Sequence, residues 1–197
     1  MVFYELSDNG AFEPTWTSAV SIRPMSHVVQ WHCPQCGRAD TYPARSFDVV
    51  LEGGAQFPDF LGCGACPFLI VSERVVKVFE AAGVQSFLKY PVGAAAVQES
   101  ELRKESAPRY YRIEITGECM VDLAQSGIMI TGICGRCGEV ERKPITVRPL
   151  KILEGSWDGS DLFRDRRLFP RVCFGTQKVA DLVHAHALTN CRLRQMA

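Results

Sequence analysis

The chain has no surplus of either charge: 22 lysines and arginines balance 22 aspartates and glutamates over 197 residues. That balance leaves no whole-molecule positive field to gather nucleic acid or anionic lipid, so neither is expected as a partner. Hydrophobic runs of membrane-spanning length are missing, and Met1 to Asp8 lacks the basic stretch, apolar core and small-residue cleavage site of a secretion signal. These absences predict a cytoplasmic protein. Catalytic signatures are absent too: no Gly-x-Ser-x-Gly elbow, no phosphate-binding Gly-rich loop ending in Lys-Ser/Thr, no His-Glu-x-x-His helix and no dinucleotide fingerprint. His32 precedes Cys33 without the His-x-Glu element of the zinc deaminases. The expectation is a protein that is not an enzyme.

What is present is apolar mass and cysteine. Nearly half of the residues, 47%, are hydrophobic, enough to bury a sizeable core in one large domain or two small ones. Nine cysteines without a secretion signal point to reduced thiols and metal ligation rather than a disulfide framework.

Three Cys-x-x-Cys pairs stand out: Cys33/Cys36, Cys63/Cys66 and Cys134/Cys137. Two such pairs make a four-thiolate site, because the spacing lets a tight turn present both sulfurs to one metal at about 2.3 Å. A local solution joins Cys33 and Cys36 to Cys63 and Cys66, at a separation close to that of ordinary zinc ribbons. A symmetric solution joins them to Cys134 and Cys137. Glycine follows the second cysteine in the first and third pairs (Gly37, Gly138), where its amide could bond a thiolate and its backbone accepts unusual torsions. Pro67 follows in the middle pair and has no amide hydrogen. The symmetric set is therefore preferred, with one structural zinc as cofactor. Iron in a rubredoxin-like site and a redox pair at Cys63/Cys66 remain the alternatives. Cys119, Cys173 and Cys191 read as small buried hydrophobes.

The order of elements repeats. Strand-like Val2 to Leu6 and the first knuckle precede an apolar run, Phe68 to Val71, then Ser72 as helix N-cap, with Val75, Val78 and Phe79 at helical spacing and Gly83 as the stop. Strand-like Tyr110 to Ile115 and the third pair precede Val172 to Gly175, then Thr176 in the capping place. Ser72 and Thr176 stand 104 residues apart; Cys33 and Cys134 stand 101 apart. The expected fold is α+β: a single domain of two pseudo-repeated halves, 1–92 and 110–197. Each half has antiparallel strands, a CxxCG zinc knuckle and a strand-helix-strand unit, and the small and charged residues 93–109 form the linker.

The turn-rich stretch from Gly155 to Phe163 places Trp157 and Phe163 among Asp158 and Asp161. Exposed aromatics flanked by carboxylates would anchor a partner and steer a basic one, which makes Trp157, Asp158, Asp161 and Phe163 the candidate partner contact. The following Arg164-Asp165-Arg166-Arg167 reads as a solvated charge run. His184 and His186 close a helix, where a cation favours the C-terminal dipole.

The N-terminal Phe-Tyr-Glu strand, the two CxxCG knuckles about a hundred residues apart, Phe-Leu-Ile-Val-Ser-Glu-Arg-Val and Ser-Trp-Asp-Gly-Ser-Asp-Leu-Phe together resemble the double-CXXCG motif proteins of myxobacteria, over essentially the whole chain. The resemblance implies a cytoplasmic immunity protein that neutralises a cognate protein toxin, with defining cysteines at Cys33, Cys36, Cys134 and Cys137. Two other classes stay open: a zinc-ribbon nucleic-acid-binding or transcription-associated adaptor, which needs a concentrated basic stripe, and a thiol oxidoreductase using Cys63 and Cys66.

Overall fold

The computed structural model describes residues 1–8, 15–23, 28–43, 46–63, 69–144 and 148–196, with backbone alone for 22–23, 28–31 and 39–43. In chain order the strands are β1 (Phe3–Asp8), β2 (Ser18–Arg23), β3 (Val28–His32), β4 (Ala39–Pro43), β5 (Phe47–Glu52), β6 (Phe60–Cys63) and β7 (Leu69–Ser72), leading into helix α1 (Glu73–Ala81). There follow β8 (Phe87–Gln98), β9 (Tyr110–Ile115), β10 (Gly117–Glu118), β11 (Ile128–Ile133), β12 (Val140–Pro144), β13 (Leu162–Arg164), β14 (Cys173–Thr176), helix α2 (Gln177–Ala185) and β15 (Cys191–Gln195). The architecture is mixed α+β and mostly strand. Among the described residues no helix is long and apolar enough to cross a membrane.

Helix α1 forms where local chemistry places it. Ser72 is extended (φ −68°, ψ 158°), and its hydroxyl accepts the Val75 amide at 3.4 Å, satisfying one of the first-turn donors that a helix leaves open. At the other end Gly83 takes a left-handed φ of 72° and the Val84 amide reaches back to the Phe79 carbonyl. Val75, Val76 and Phe79 form the buried face. Helix α2 ends with the same bonds, Leu188 to Val183 and Ala187 to His184, although Ala187 holds the left-handed position (φ 46°).

The strands assemble as a closed barrel in the order β2-β5-β8-β9-β7-β6, a five-stranded sheet β10-β13-β14-β1-β15, and two separate hairpins, β3-β4 and β11-β12. β9 and β1 take corresponding places in the two sheets. β9 lies between β7 and β8, the strands flanking α1. β1 lies between β14 and β15, the strands flanking α2. Three packed clusters result. Phe47, Val49, Leu51, Leu61, Ile70, Val92 and Tyr110 belong to the barrel strands. Leu6, Ile113 and Ile115 join the buried faces of both helices in a second cluster. Phe163, Phe174, Cys119, Val121 and Val140 pack in the third.

Segment 93–109 is not a linker throughout, because β8 continues to Gln98 as a barrel strand parallel to β5. Gly93, Ala94 and Ala96 pair in register with Asp48, Val49 and Val50, and Ala94 packs against the barrel cluster. Low side-chain volume marks a paired strand here, not flexibility.

A carboxylate orders each helix entrance, buried at Asp59 and half-buried at Asp161. Asp59 Oδ1 accepts the Ser72 hydroxyl at 2.7 Å and its Oδ2 accepts Arg74 Nη1 at 2.7 Å. Asp161 repeats this with the Thr176 hydroxyl at 3.0 Å and Lys178 Nζ at 2.7 Å. Thr176 thus points its hydroxyl at Asp161 and makes no side-chain cap bond to α2. Asp59 does more, accepting the Thr189 amide at 3.0 Å and so tying the α1 entrance to the exit of α2. Asp59→Ala should cost about 2–3 kcal/mol, since buried donors at Ser72 and Thr189 lose their acceptor. Asp161 is more exposed and its alanine variant should cost less; paired denaturant titrations give the two values.

Candidate metal centre

The two CxxCG segments form the turns of the two isolated hairpins. Register pairs His32 with Ala39 across one turn and Ile133 with Val140 across the other. Both turns close with the same two bonds. The amide of Cys33 donates to the Arg38 carbonyl at 2.8 Å and that of Gly37 to the Cys33 carbonyl at 2.9 Å; Cys134, Glu139 and Gly138 repeat them at 2.8 and 2.9 Å. Gly37 and Gly138 have φ of 71° and 72°, the left-handed region where a side chain is strained. Each glycine is therefore needed for its torsion. Its amide goes to a carbonyl, not to a thiolate as the sequence suggested.

These turns bring four sulfurs together. Cys33 Sγ lies 3.8 Å from Cys134 Sγ, Cys36 Sγ lies 3.7 Å from Cys137 Sγ, and all four sulfurs fall within 4.8 Å of one another. Four thiolates set tetrahedrally at about 2.3 Å from a zinc ion stand about 3.8 Å apart, so the set fits one metal ion. Cys33 is buried, Cys134 and Cys137 are half-buried and Cys36 is exposed, which puts the centre at the rim of the molecule. The residues following the two glycines, Arg38 and Glu139, are ion-paired across the two turns.

The turn amides bias the sulfurs unequally. The Cys36 amide, against burial and with help from that of Gln35, holds the Cys33 thiol down to about 6. The amides of Cys137 and Arg136 likewise lower Cys134. The Arg38 amide pulls Cys36 down, but burial and the neighbouring thiols of Cys33, Cys137 and Cys134 carry it up to about 12. Burial and the thiols of Cys134 and Cys33 raise Cys137. In each turn the backbone amides favour the thiolate of the first cysteine, the form that ligates metal. Gly37→Ala or Gly138→Ala should each cost the metal-bound turn about 1–2 kcal/mol, because the Cβ meets nothing and the torsion alone is penalised. Competition with a chromophoric chelator reads this as a drop in metal affinity with the ligand set intact.

Cys63 lies at the end of β6, outside this group, and is disulfide-bonded, against the expectation of reduced thiols throughout. Cys66 falls outside the described residues. Cys119, Cys173 and Cys191 are all pushed up to about 12, chiefly by burial, which suits packed thiols without chemistry. His32 is exposed beside Cys33, and the carbonyl of His186 accepts Arg74.

The expected partner contact does not present itself as predicted. Phe163 is fully buried in β13, 5.2 Å from the ring of Phe3 and 5.8 Å from that of Phe174. Trp157 is half-buried, edge-on to Phe3 at 5.3 Å, with its indole N–H donating to the Ser160 carbonyl at 2.9 Å. Asp158, though partly desolvated, is held below the usual carboxylate range by hydrogen bonds from Ser160 and the Glu118 amide. Asp161 serves Thr176 and Lys178. The loop turns its aromatics inward and uses its carboxylates internally. A signal was present in the sequence: Asp161-Leu162-Phe163 stands before Thr176 much as Asp59-Phe60-Leu61 stands before Ser72.

What sequence reading missed is a cavity beside the metal centre, of about 280 Å³, lined by Arg38, Arg142, Arg167 and Arg171 with Glu139 and Phe169. No protein-family model matches this chain, and no curated protein matches it either.

Proposed function

We propose that the chain is a non-catalytic immunity protein of the double-CXXCG kind, which binds a cognate protein toxin in the cytoplasm and blocks it, with one structural zinc ion holding its surface in shape. The observation that carries this reading is the four-cysteine cluster drawn from both ends of the chain, in the positions that define the resembled family. Cys33, Cys36, Cys134 and Cys137 would hold the metal. Four thiolates leave no open position for an activated water, so the ion's part is structural. We also read the two ends as a duplication with exchanged opening strands, supported by the matching knuckle bonds, helix ends and carboxylate-capped entrances.

Immunity proteins of the resembled family are encoded beside their toxins, so co-expression with the product of the adjacent gene tests the function. The expected result is protection of growth and a stable complex of the two proteins. Absence of both protection and a complex, with the metal bound, would contradict it.

A further inference from the structure

Four arginines from three distant parts of the chain line one cavity, although the whole molecule carries no net charge. Arg38 follows the first knuckle, Arg142 lies on β12, and Arg167 and Arg171 come from the turn after β13. Glu139 is the one acid among the described lining residues, and it is paired with Arg38. Such a grouping makes the cavity wall locally basic.

The turn that carries Arg167 and Arg171 is held from below. Asp165 is buried, and its carboxylate accepts the amides of Val121 at 2.9 Å, Arg167 at 3.0 Å and Leu168 at 2.8 Å. The Phe169 amide closes onto the Asp165 carbonyl at 2.9 Å. Asp165 also offsets part of the charge of Arg142, whose guanidinium stacks on the Phe169 ring at 4.6 Å from its centroid. The backbone of the turn and the Arg142 guanidinium are thus held in place, and guanidinium forks match carboxylate and phosphate oxygens in pairs.

A neighbouring cavity of about 480 Å³ shares Arg38 and Glu139 and adds Ile133, which is 55% exposed, and Glu141. Basic and apolar ground therefore lie side by side. Glu139 and Glu141 interrupt any continuous phosphate track, and Phe169 is buried beneath Arg142 rather than open for base stacking. Both features favour a peptide over a nucleic acid.

We infer that the Arg142, Arg167 and Arg171 cavity is the docking site for an acidic, partly apolar peptide segment of a protein partner, whose carboxylates enter the cavity while an apolar side chain covers Ile133. The assignment rests on the protein-binding reading above and names the surface and the chemistry it selects.

The test uses the full-length, metal-loaded protein and three labelled probes: a peptide in which Glu alternates with Leu, its Gln-for-Glu counterpart, and a single-stranded oligonucleotide of matched length. The Glu peptide is expected to bind roughly tenfold tighter than the Gln peptide and to lose that advantage in Arg167→Glu/Arg171→Glu. It should keep the advantage in Arg103→Glu/Lys104→Glu, the same charge change at exposed residues elsewhere. Thermal midpoint and metal content establish that each variant is folded; Arg167→Gln/Arg171→Gln, a milder change, serves if the reversal is not. Peptide binding unmoved by the arginine variants overturns the assignment, as does an oligonucleotide that binds tighter than the Glu peptide and is lost in the same variants. Peptide binding at this cavity without any complex with the adjacent gene product would defeat the neutralising reading and leave the cavity assignment standing.

Discussion

Cys134→Ser should abolish stoichiometric metal binding, whereas Cys63→Ser should leave it at one ion per chain. The contrast follows from the sulfur cluster, which takes Cys134 and Cys137 as partners of Cys33 and Cys36 and leaves Cys63 in a disulfide elsewhere. Losing one thiolate removes a quarter of the coordination, and the consequence reaches the backbone because each knuckle sits on a two-stranded sheet with no further strand beside it among the described residues. Such hairpins are marginal alone in water. Structural zinc in small fingers contributes about 10–16 kcal/mol of binding energy to folding. Here the barrel, the five-stranded sheet and the helices keep their own cores, so the loss should be local. Hydrogen exchange of amides in β3, β4, β11 and β12 should quicken by about a hundredfold or more, while β5 and β14 keep their protection. Adding a strong chelator to the unmutated protein should reproduce the pattern. Acid should as well, since the ligands must stay deprotonated.

Phe163→Ala should destabilise the fold by about 3–5 kcal/mol, the usual loss for emptying a fully buried aromatic site. For a chain of this length that corresponds to a fall in thermal midpoint of about 6–20 °C. Phe163 contacts the rings of Phe3, Trp157 and Phe174, and Phe3 belongs to the strand that β14 and β15 receive from the far end of the chain. Its removal should therefore loosen β1 as well as β13. An exposed partner anchor would behave in the opposite way, losing binding with the midpoint unmoved. A thermal melt of Phe163→Ala beside Arg167→Glu/Arg171→Glu separates the two kinds of residue: the first should fall and the second should stay within a degree or two of the parent, about what surface substitutions give.

Where signals are local, the sequence was readable. Ser72 and Gly83 bracket α1 because a cap hydroxyl and a left-handed glycine act within a few residues. The knuckles were readable for the same reason, and the choice of Cys134 and Cys137 over Cys63 and Cys66 followed from the matching glycines. Longer-range features were hidden. Gly93 to Ala96 looks like a linker by composition, yet it pairs with Asp48 to Val50 on a strand some forty-five residues earlier. Nothing local tells β1 to join the strands around α2, or β9 those around α1, since each opening strand alternates in the same way. Trp157 and Phe163 were misread because Asp158 and Asp161 look like surface charges until their hydrogen bonds to Ser160, Glu118, Thr176 and Lys178 are known. The arginine cavity draws on positions 38, 142, 167 and 171, and Asp165 inside the run after β13 turned out to be its buried support.

X-ray absorption at the zinc edge of the purified protein tests the central claim most directly. One zinc per chain with four sulfur neighbours at about 2.3 Å is the predicted result. A shell with fewer than four sulfurs, or a full sulfur shell that survives Cys134→Ser, would contradict a centre shared by the two knuckles.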